Sequence, residues 1–309
     1  MKVLVFGGTG FIGRNLCESL VLQGHGVRAF SLKPKCGHWP DIEGVAWTEG
    51  DFTCQSDVCE ALHDVDAVFH LVSTTLPHTS NENPVKDLQD NVESTLRMMD
   101  CIVRMKERPK IIFVSSGGTV YGIPKLIPIP EDHPTDPICA YGVGKLAIEK
   151  YLYLYNKLHD LDYRILRLAN PYGEHQPLFS GQGVIPVFLR KALSGEDLEI
   201  WGDGTVVRDY IYIGDAISAV SMVLKYEGDE RIFNIGSGNG FSVNDIIGFM
   251  ETILERKIIC RYFPSRVFDV PSNVLDIRRA QTHLGWNPQV SLLNGLGRMA
   301  DYVKKSLAS

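Results

Sequence analysis

With 309 residues, 44% of them hydrophobic, the chain can bury a full core as one large domain or two modest ones. A net charge of −6, with Lys and Arg spread along the sequence, excludes a basic nucleic-acid stripe and a polybasic membrane patch. No apolar run approaches the roughly 18 residues of a membrane span, and the four apolar residues after Met1-Lys2 are too few for a secretory signal, so a cytoplasmic protein is expected.

The first predicted strand, Val3–Phe6, runs into Gly7-Gly8-Thr9-Gly10-Phe11-Ile12-Gly13 and then a helical pattern near Arg14–Gln23. A glycine loop between a buried strand and a helix offers backbone N–H groups and a helix N-terminus to a pyrophosphate. Gly7, Gly10, Phe11, Ile12 and Gly13 are therefore candidate cofactor contacts. Strands follow at Gly26–Phe30 and Val45–Glu49, a helix near Ser56–Leu62 and a strand at Ala67–Leu71. Next come a helix near Pro84–Lys106, a strand at Lys110–Ser115, a helix near Ala140–His159 and a strand at Tyr163–Leu168. Apolar strands separated by helices predict a parallel sheet covered on both faces, hence an α/β, doubly wound Rossmann fold. His70 ends an apolar strand and is expected as a packed or hydrogen-bonded residue near the cofactor rather than a ligand or base.

After about residue 172 glycine and proline become frequent and the elements shorten, which predicts a smaller α/β lobe with cleft-lining loops. The expected division is 1–172 for dinucleotide binding, with returning elements near 205–240, and 173–309 for substrate. The seven cysteines (Cys17, Cys36, Cys54, Cys59, Cys101, Cys139, Cys260) are odd in number and form no CxxC pair, so free thiols and no zinc site are expected.

Tyr141 and Lys145 stand four apart in the predicted helix near Ala140–His159, on one face, where an ammonium can lower a phenol's pKa. Glycine loop and Tyr-Lys pair together describe a dinucleotide site with a built-in proton-transfer group, and so a hydride-transfer enzyme. Intact Tyr141 and Lys145 argue against a dinucleotide-sensing regulator on the same fold.

With Ser115-Ser116-Gly117-Gly118-Thr119-Val120-Tyr121-Gly122 upstream of that pair, the chain resembles the extended short-chain dehydrogenase/reductase family, in its nucleotide-sugar epimerase/dehydratase branch. The resemblance runs nearly end to end. It takes in Gly50-Asp51, Asn91-Val92-Glu93-Ser94-Thr95, Leu168-Ala169-Asn170-Pro171-Tyr172-Gly173, Trp201-Gly202-Asp203-Gly204 with Arg208-Asp209-Tyr210, Asn234-Ile235-Gly236-Ser237-Gly238 and Arg266-Val267-Phe268-Asp269. It implies Tyr141 as general acid/base toward a sugar hydroxyl or ketone, with Lys145 on the nicotinamide ribose keeping the phenol acidic. Cofactor contacts at Ser31, Lys33, Asp51, Phe52, Leu71, Asn91, Ser115 and Asn170 are implied too. Asn170, Arg208, Arg266 and Asp269 would hold the nucleoside diphosphate, for which two guanidinium forks suit a pyrophosphate.

The chain departs from the family pattern at three places. NAD-selective members usually end the second strand with Asp or Glu; here Ser31 stands there, with Lys33, Lys35, Arg28 and Arg14 nearby in sequence, so NADP joins NAD as a possible cofactor. Sugar 4-epimerases usually carry Ser or Thr at the position of Gly117. Thr119 would share its face if the backbone stays extended and is the better substitute, with Ser116 pointing away. Asn273, where hexose 4-epimerases can wall off the C2 substituent, is small enough to admit an N-acetyl group.

The leading expectation is NAD(P)H-dependent reduction at C4 of a nucleotide sugar such as dTDP-4-dehydro-6-deoxyglucose, giving a dTDP-6-deoxyhexose such as dTDP-fucose for surface polysaccharide. The alternative is a UDP-glucose or UDP-N-acetylglucosamine 4-epimerase with tightly bound NAD. A 4,6-dehydratase fits less well, because Gly117-Gly118-Thr119 replaces the Thr-Asp-Glu usual in that branch. A homodimer is expected.

Overall fold

The computed structural model describes residues 1–34, 36–76, 79–179, 183–265 and 270–308. Its elements are β1 (Lys2–Phe6), α1 (Phe11–Leu22), β2 (Gly26–Ser31), β3 (Val45–Glu49), α2 (Gln55–Ala61), β4 (Ala67–His70), α3 (Pro84–Asp87), α4 (Ser94–Val103), β5 (Lys110–Ser116), α5 (Ala140–His159) and β6 (Tyr163–Leu168). There follow β7 (Asn170–Tyr172), α6 (Val184–Leu193), β8 (Leu198–Trp201), β9 (Val207–Tyr212), α7 (Ile213–Leu224), β10 (Ile232–Ile235), β11 (Gly240–Ser242), α8 (Val243–Leu254), β12 (Cys260–Phe263), β13 (Ser272–Asn273), α9 (Arg278–Leu284) and α10 (Leu292–Ala308). The chain forms two compact units: Met1–Gly122, Pro134–Arg167 and Ile217–Phe233 make one, and Ile123–His133, Leu168–Ala216 and Asn234–Ser309 the other.

A seven-stranded sheet runs β10-β6-β5-β4-β1-β2-β3, and β1 pairs in parallel with both β2 and β4. Val3–Phe6 and Ala67–Phe69 have no exposed surface, which is why these strands read as unbroken apolar runs. Strand order reverses between β1 and β4, the point where a doubly wound sheet opens a ligand crevice at the strands' carboxyl ends. The α/β Rossmann expectation therefore holds.

The first unit also buries charge. Glu149 of α5 accepts hydrogen bonds from Ser115 Oγ of β5 (2.6 Å) and from Arg167 Nη2 of β6 (2.6 Å). Arg167 Nη1 donates to Tyr121 Oη (2.9 Å), so one network ties β5, α5 and β6 together. Burial works against the guanidinium's charge, but the Glu149 carboxylate more than offsets it, and the pKa of Arg167 rises.

Two expectations need correction here. The single helix expected over 84–106 is three pieces, α3, a π-helical segment Leu88–Glu93 and α4, because the backbone spacing widens where Asn91 turns inward. The cysteines are not all free: Cys59 of α2 and Cys101 of α4 form a disulfide with Cα atoms 5.8 Å apart. The two helices pack side by side, a proximity that a separation of 42 residues conceals.

In the second unit β9 lies between β11 and β13 and also pairs β7, while β8 and β12 form a parallel pair. Asp209, fully buried, accepts from the Ser237 N–H and Oγ (2.7 Å each) and from the Gly238 and Leu275 N–H groups. A Cβ at Gly236 would sit 2.3 Å from its Oδ2, so only glycine fits in the Asn-Ile-Gly-Ser-Gly turn. No helix among the described residues is long and apolar enough to cross a membrane.

Arg167→Leu strands a buried carboxylate and should cost about 3–5 kcal/mol. A urea melt will show it as a lower midpoint, and Glu149→Leu in the same chain should recover much of the loss.

Candidate active site

The glycine loop is shaped by contacts that no side chain could survive. Gly7 has φ +86, and a Cβ at Gly13 would lie 2.1 Å from the Gly7 carbonyl oxygen. The first turn of α1 can thus press against the loop, and the N–H groups of Phe11, Ile12 and Gly13, which have no acceptor a turn earlier, face outward along the helix axis. No acidic residue stands in that turn to compete with a phosphate. The cradle fits a dinucleotide's pyrophosphate. Leu71 borders it, its N–H donating to Phe6 O (3.2 Å).

At the end of β2 the Ser31 Oγ accepts from both the N–H (3.3 Å) and the hydroxyl (2.9 Å) of Thr9. Ser31 therefore braces the glycine loop where an acid would grip a ribose. Arg28, expected as a possible partner for a 2′-phosphate, instead donates to the Ala61 and His63 carbonyls, and Arg14 pairs with Glu18 (3.5 Å). Lys33 is exposed, and Lys35 lies outside the described residues. Asp51, exposed, accepts through Oδ1 from the Thr53 N–H and hydroxyl. Phe52 turns its ring into the core against Phe6 and His70, which leaves only its backbone for a cofactor.

Two more expected cofactor contacts, Ser115 and Asn91, also serve as internal braces, and His70 packs nearby. The Ser115 hydroxyl is committed to Glu149. Asn91 accepts from the Thr74 N–H (3.0 Å) and donates to Thr74 Oγ1 and Asp87, so it fixes the loop after β4. His70 Nε2 lies 2.8 Å from Thr95 Oγ1, whose own proton goes to Asn91 O, so His70 donates. Burial, then the nearby Lys145 charge, lowers its pKa to about 3, and it is a packed neutral group as expected.

α5 starts under external caps, the Ala140 N–H on Asn81 Oδ1 and the Tyr141 N–H on Ser80 Oγ. Lys145, one turn on from Tyr141, donates to Val114 O (3.1 Å) and sits 5.6 Å from the Tyr141 ring centre. Burial lowers the lysine's pKa to about 8, against the pull of Asp87 and Glu149. Burial first, then the Cys139 thiol and Asp87, push Tyr141 above the usual phenol range, while a hydrogen bond with Ser73 works the other way.

Residues 117–120 form a turn, with the Thr119 and Val120 N–H groups on Ser116 O, so the extended backbone assumed for Thr119 is absent. Thr119 nevertheless reaches the α5 face, its Cβ 3.2 Å from where a Cβ would stand at Gly142. Its buried hydroxyl has no hydrogen-bond partner among the described residues.

In the second unit, Asn170 Nδ2 donates to Asp209 O (2.9 Å). Arg208 Nη1 donates to the Val270 carbonyl (2.6 Å), and its register partner in β13 is Asn273, which is buried. Arg266 and Asp269 lie outside the described residues. A cavity of about 770 Å³ opens beside the stacked rings of Trp201 and Phe263, with Gly202, Thr205 and Tyr262 on its wall.

Residues 3–236 match the NAD dependent epimerase/dehydratase family. The chain belongs to that family. It is 35% identical over 309 residues to the dTDP-4-dehydro-6-deoxyglucose reductase of Escherichia coli, covering 98% of this chain and 97% of the relative. It is similar to the crystal structure of UDP-glucose 4-epimerase from Thermotoga maritima with UDP-glucose, at 33% identity and a TM-score of 0.93 over 99% of this chain and 100% of that one. The Thermus thermophilus UDP-glucose 4-epimerase in complex with NAD is 28% identical, with a TM-score of 0.90 over 98% of this chain and 99% of that one. The family member described here is thus an NAD-dependent nucleotide-sugar enzyme of the short-chain dehydrogenase/reductase type.

Sequence reasoning missed Asp87, buried beside Tyr141 and Lys145, and Glu149 one turn beyond Lys145. The spacing Tyr141, Lys145, Glu149 places all three on one helical face and could have exposed the second.

Lys145 titrates near 8 when folded and near 10.5 when unfolded, so between those values the unfolded chain holds one proton more and stability rises with pH. Relative to Lys145→Met, the wild type should gain on the order of 3 kcal/mol from pH 8 to 10.5. Denaturant titrations of both proteins across that window will measure it.

Proposed function

We propose that this enzyme reduces the C4 ketone of a nucleotide-activated 4-keto-6-deoxy sugar, such as dTDP-4-dehydro-6-deoxyglucose, to a 6-deoxyhexose donor for surface polysaccharide in the cytoplasm. The observation that carries it is the Ser31–Thr9 pair at the end of β2, which leaves no carboxylate there for the adenine ribose. A reductase exchanges its dinucleotide at every turnover, whereas an epimerase retains it between half-reactions. A loosened ribose contact suits exchange.

When bound, the dinucleotide supplies the hydride at its nicotinamide ring. Tyr141 gives its proton to the C4 oxygen as the ketone becomes an alcohol, Lys145 holds the nicotinamide ribose, and Thr119 orients the C4 oxygen. In the second unit Arg208 and Asn170 hold the pyrophosphate, and the base lies against Trp201 and Phe263. The second reading, a UDP-hexose 4-epimerase, is favoured by the close structural likeness to the Thermotoga maritima enzyme.

The active unit is a homodimer built on α5. Val143, Tyr151, Leu154 and Leu158 are exposed along one stripe opposite the helix's buried face. Antiparallel pairing of two copies about a two-fold axis near Tyr151 sets Val143 against Leu158, a self-complementary match.

Given dTDP-4-dehydro-6-deoxyglucose, the enzyme should consume stoichiometric reduced nicotinamide, NADH and NADPH being compared, and Tyr141→Phe should slow kcat by about 10²–10⁴-fold with cofactor binding retained. Interconversion of UDP-glucose and UDP-galactose without added cofactor, and no ketosugar reduction, would establish the epimerase instead. Leu154→Glu with Leu158→Glu should convert the dimer to a monomer in sedimentation experiments.

A further inference from the structure

Between the turn that carries Thr119 and the helix that carries Tyr141, the chain leaves the first unit. Residues Ile123–His133 belong to the second unit, while Gly122 and Pro134 on either side belong to the first. Pro124, Pro128 and Pro130 fall within this excursion, and the fixed φ of proline stiffens an extended segment. The excursion is also clasped on itself. The Lys125 N–H donates to His133 Nε2 (3.0 Å), and the His133 N–H donates to the Pro130 carbonyl (3.1 Å). Its two ends are pinched together in the first unit: Gly122 has φ +64, and a Cβ there would lie 1.9 Å from the Asp136 carbonyl oxygen, so only glycine closes the neck. One residue further, Pro137 and Thr119 both press on Gly142, the neighbour of Tyr141. A Cβ at Gly142 would stand 2.9 Å from Pro137 Cβ and 3.0 Å from the Thr119 carbonyl oxygen.

In the second unit this segment is moored to the chain that follows Asn273. The Ile129 N–H donates to the Val274 carbonyl (2.8 Å) and the Asp276 N–H to the Ile129 carbonyl (2.9 Å), a parallel bridge with Ile129 opposite Leu275. Neither Ile129 nor Leu275 has exposed surface. Glu131, buried, accepts from the Asn234 N–H through Oε1 (2.9 Å), and its Oε2 lies 3.6 Å from Arg279 Nε. Asn234 Nδ2 donates in turn to the Ile129 (2.8 Å) and Asp276 (3.2 Å) carbonyls. The moored chain adjoins the candidate nucleotide residues directly. The Leu275 N–H donates to Asp209 Oδ2 (3.3 Å), Asn273 is the register partner of Arg208, and Asn170 donates to the Asp209 carbonyl.

We infer that residues 123–133 are a coupling strap, with Glu131 the positioning residue through which an occupied nucleotide site sets the Thr119 turn and the start of α5. The inference rests on the reading of Arg208 and Asn170 as the groups that hold the pyrophosphate. A link that is moored at one end, pinched at the other and stiffened by proline transmits a displacement that a flexible loop would absorb. The nucleotide takes no part in the chemistry, so its binding energy is directed along the strap to placing the groups that do. Glu131 is the only carboxylate in the strap that touches β10, and without it the Asn234 N–H loses this acceptor and the mooring loosens.

The test follows backbone hydrogen exchange of the full-length protein with dTDP, with UDP and without nucleotide. Neither nucleotide carries a hexose that would reach the Thr119 turn by itself. At about 100 times its Kd a nucleotide makes the openings that release it about 100-fold rarer. Exchange over 270–276 should therefore slow. In the wild type the Thr119 and Val120 N–H groups, bonded to Ser116 O, should slow with it by about tenfold or more. In Glu131→Ala the protection at 270–276 should remain and that at 117–122 should vanish, and Glu131→Gln, which keeps an acceptor for Asn234, should restore it. On whichever nucleotide sugar turns over, the kcat of Glu131→Ala should fall roughly 10–100-fold, with KM changing less. Pro124→Gly softens the strap without removing its hydrogen bonds, and it takes the place of Glu131→Ala if that variant does not fold. No slowing at 117–122 in the wild type, equal slowing in the variant, or a raised KM with kcat unchanged overturns the proposal. If neither nucleotide protects 270–276, the nucleotide reading of the second unit fails and the strap falls with it. Protection at 270–276 without protection at 117–122 fails the strap alone.

Discussion

Charge buried along α5 is the constraint around which the first unit is arranged. Lys145 and Glu149 both lie under the surface, where an unpaired charge costs several kcal/mol. Arg167 from β6 and Ser115 from β5 satisfy Glu149, and the Val114 carbonyl accepts a hydrogen bond from Lys145. The strands that flank α5 are thereby locked to it by hydrogen bonds as well as by apolar packing. A site that must transfer protons with fixed geometry gains from such bracing, because every polar atom has one low-energy arrangement.

The glycine loop works by a different economy. Gly13 lets α1 approach the Gly7 carbonyl, and this close packing aims three backbone N–H groups outward. Ser31 then takes the place of a ribose-binding acid and spends its hydroxyl on Thr9 of the same loop. The residue that usually selects the cofactor has become a strut of the phosphate cradle. The Ser31–Thr9 contacts stiffen the loop at the position where the pyrophosphate cradle begins.

Much of this was legible in the chain itself. Unbroken apolar runs at Val3–Phe6 and Ala67–Phe69 belong to strands buried on both faces, and period and glycine placement located the dinucleotide loop and the Tyr141-Lys145 face. These features are local: they depend on residues within a turn or a strand of one another, and the physics that fixes them acts at the same range.

Side-chain commitments across the sheet were decided only in the tertiary structure. Ser115 and Asn91 carry the residue types of cofactor ligands, and the packing of α5 and of the π segment gives each a bracing hydrogen bond besides. Arg28 stands near Ser31 in sequence, but three residues along β2 puts it on the opposite face of the sheet, where its long side chain finds the Ala61 and His63 carbonyls. Cys59 and Cys101 meet because two helices pack side by side, and Asp87 reaches Gly144 because α3 lies against α5. Sequence set which groups exist and which local shapes they take; the fold alone set their neighbours, because burial, charge pairing and proton affinity depend on distances that the chain closes only when it packs.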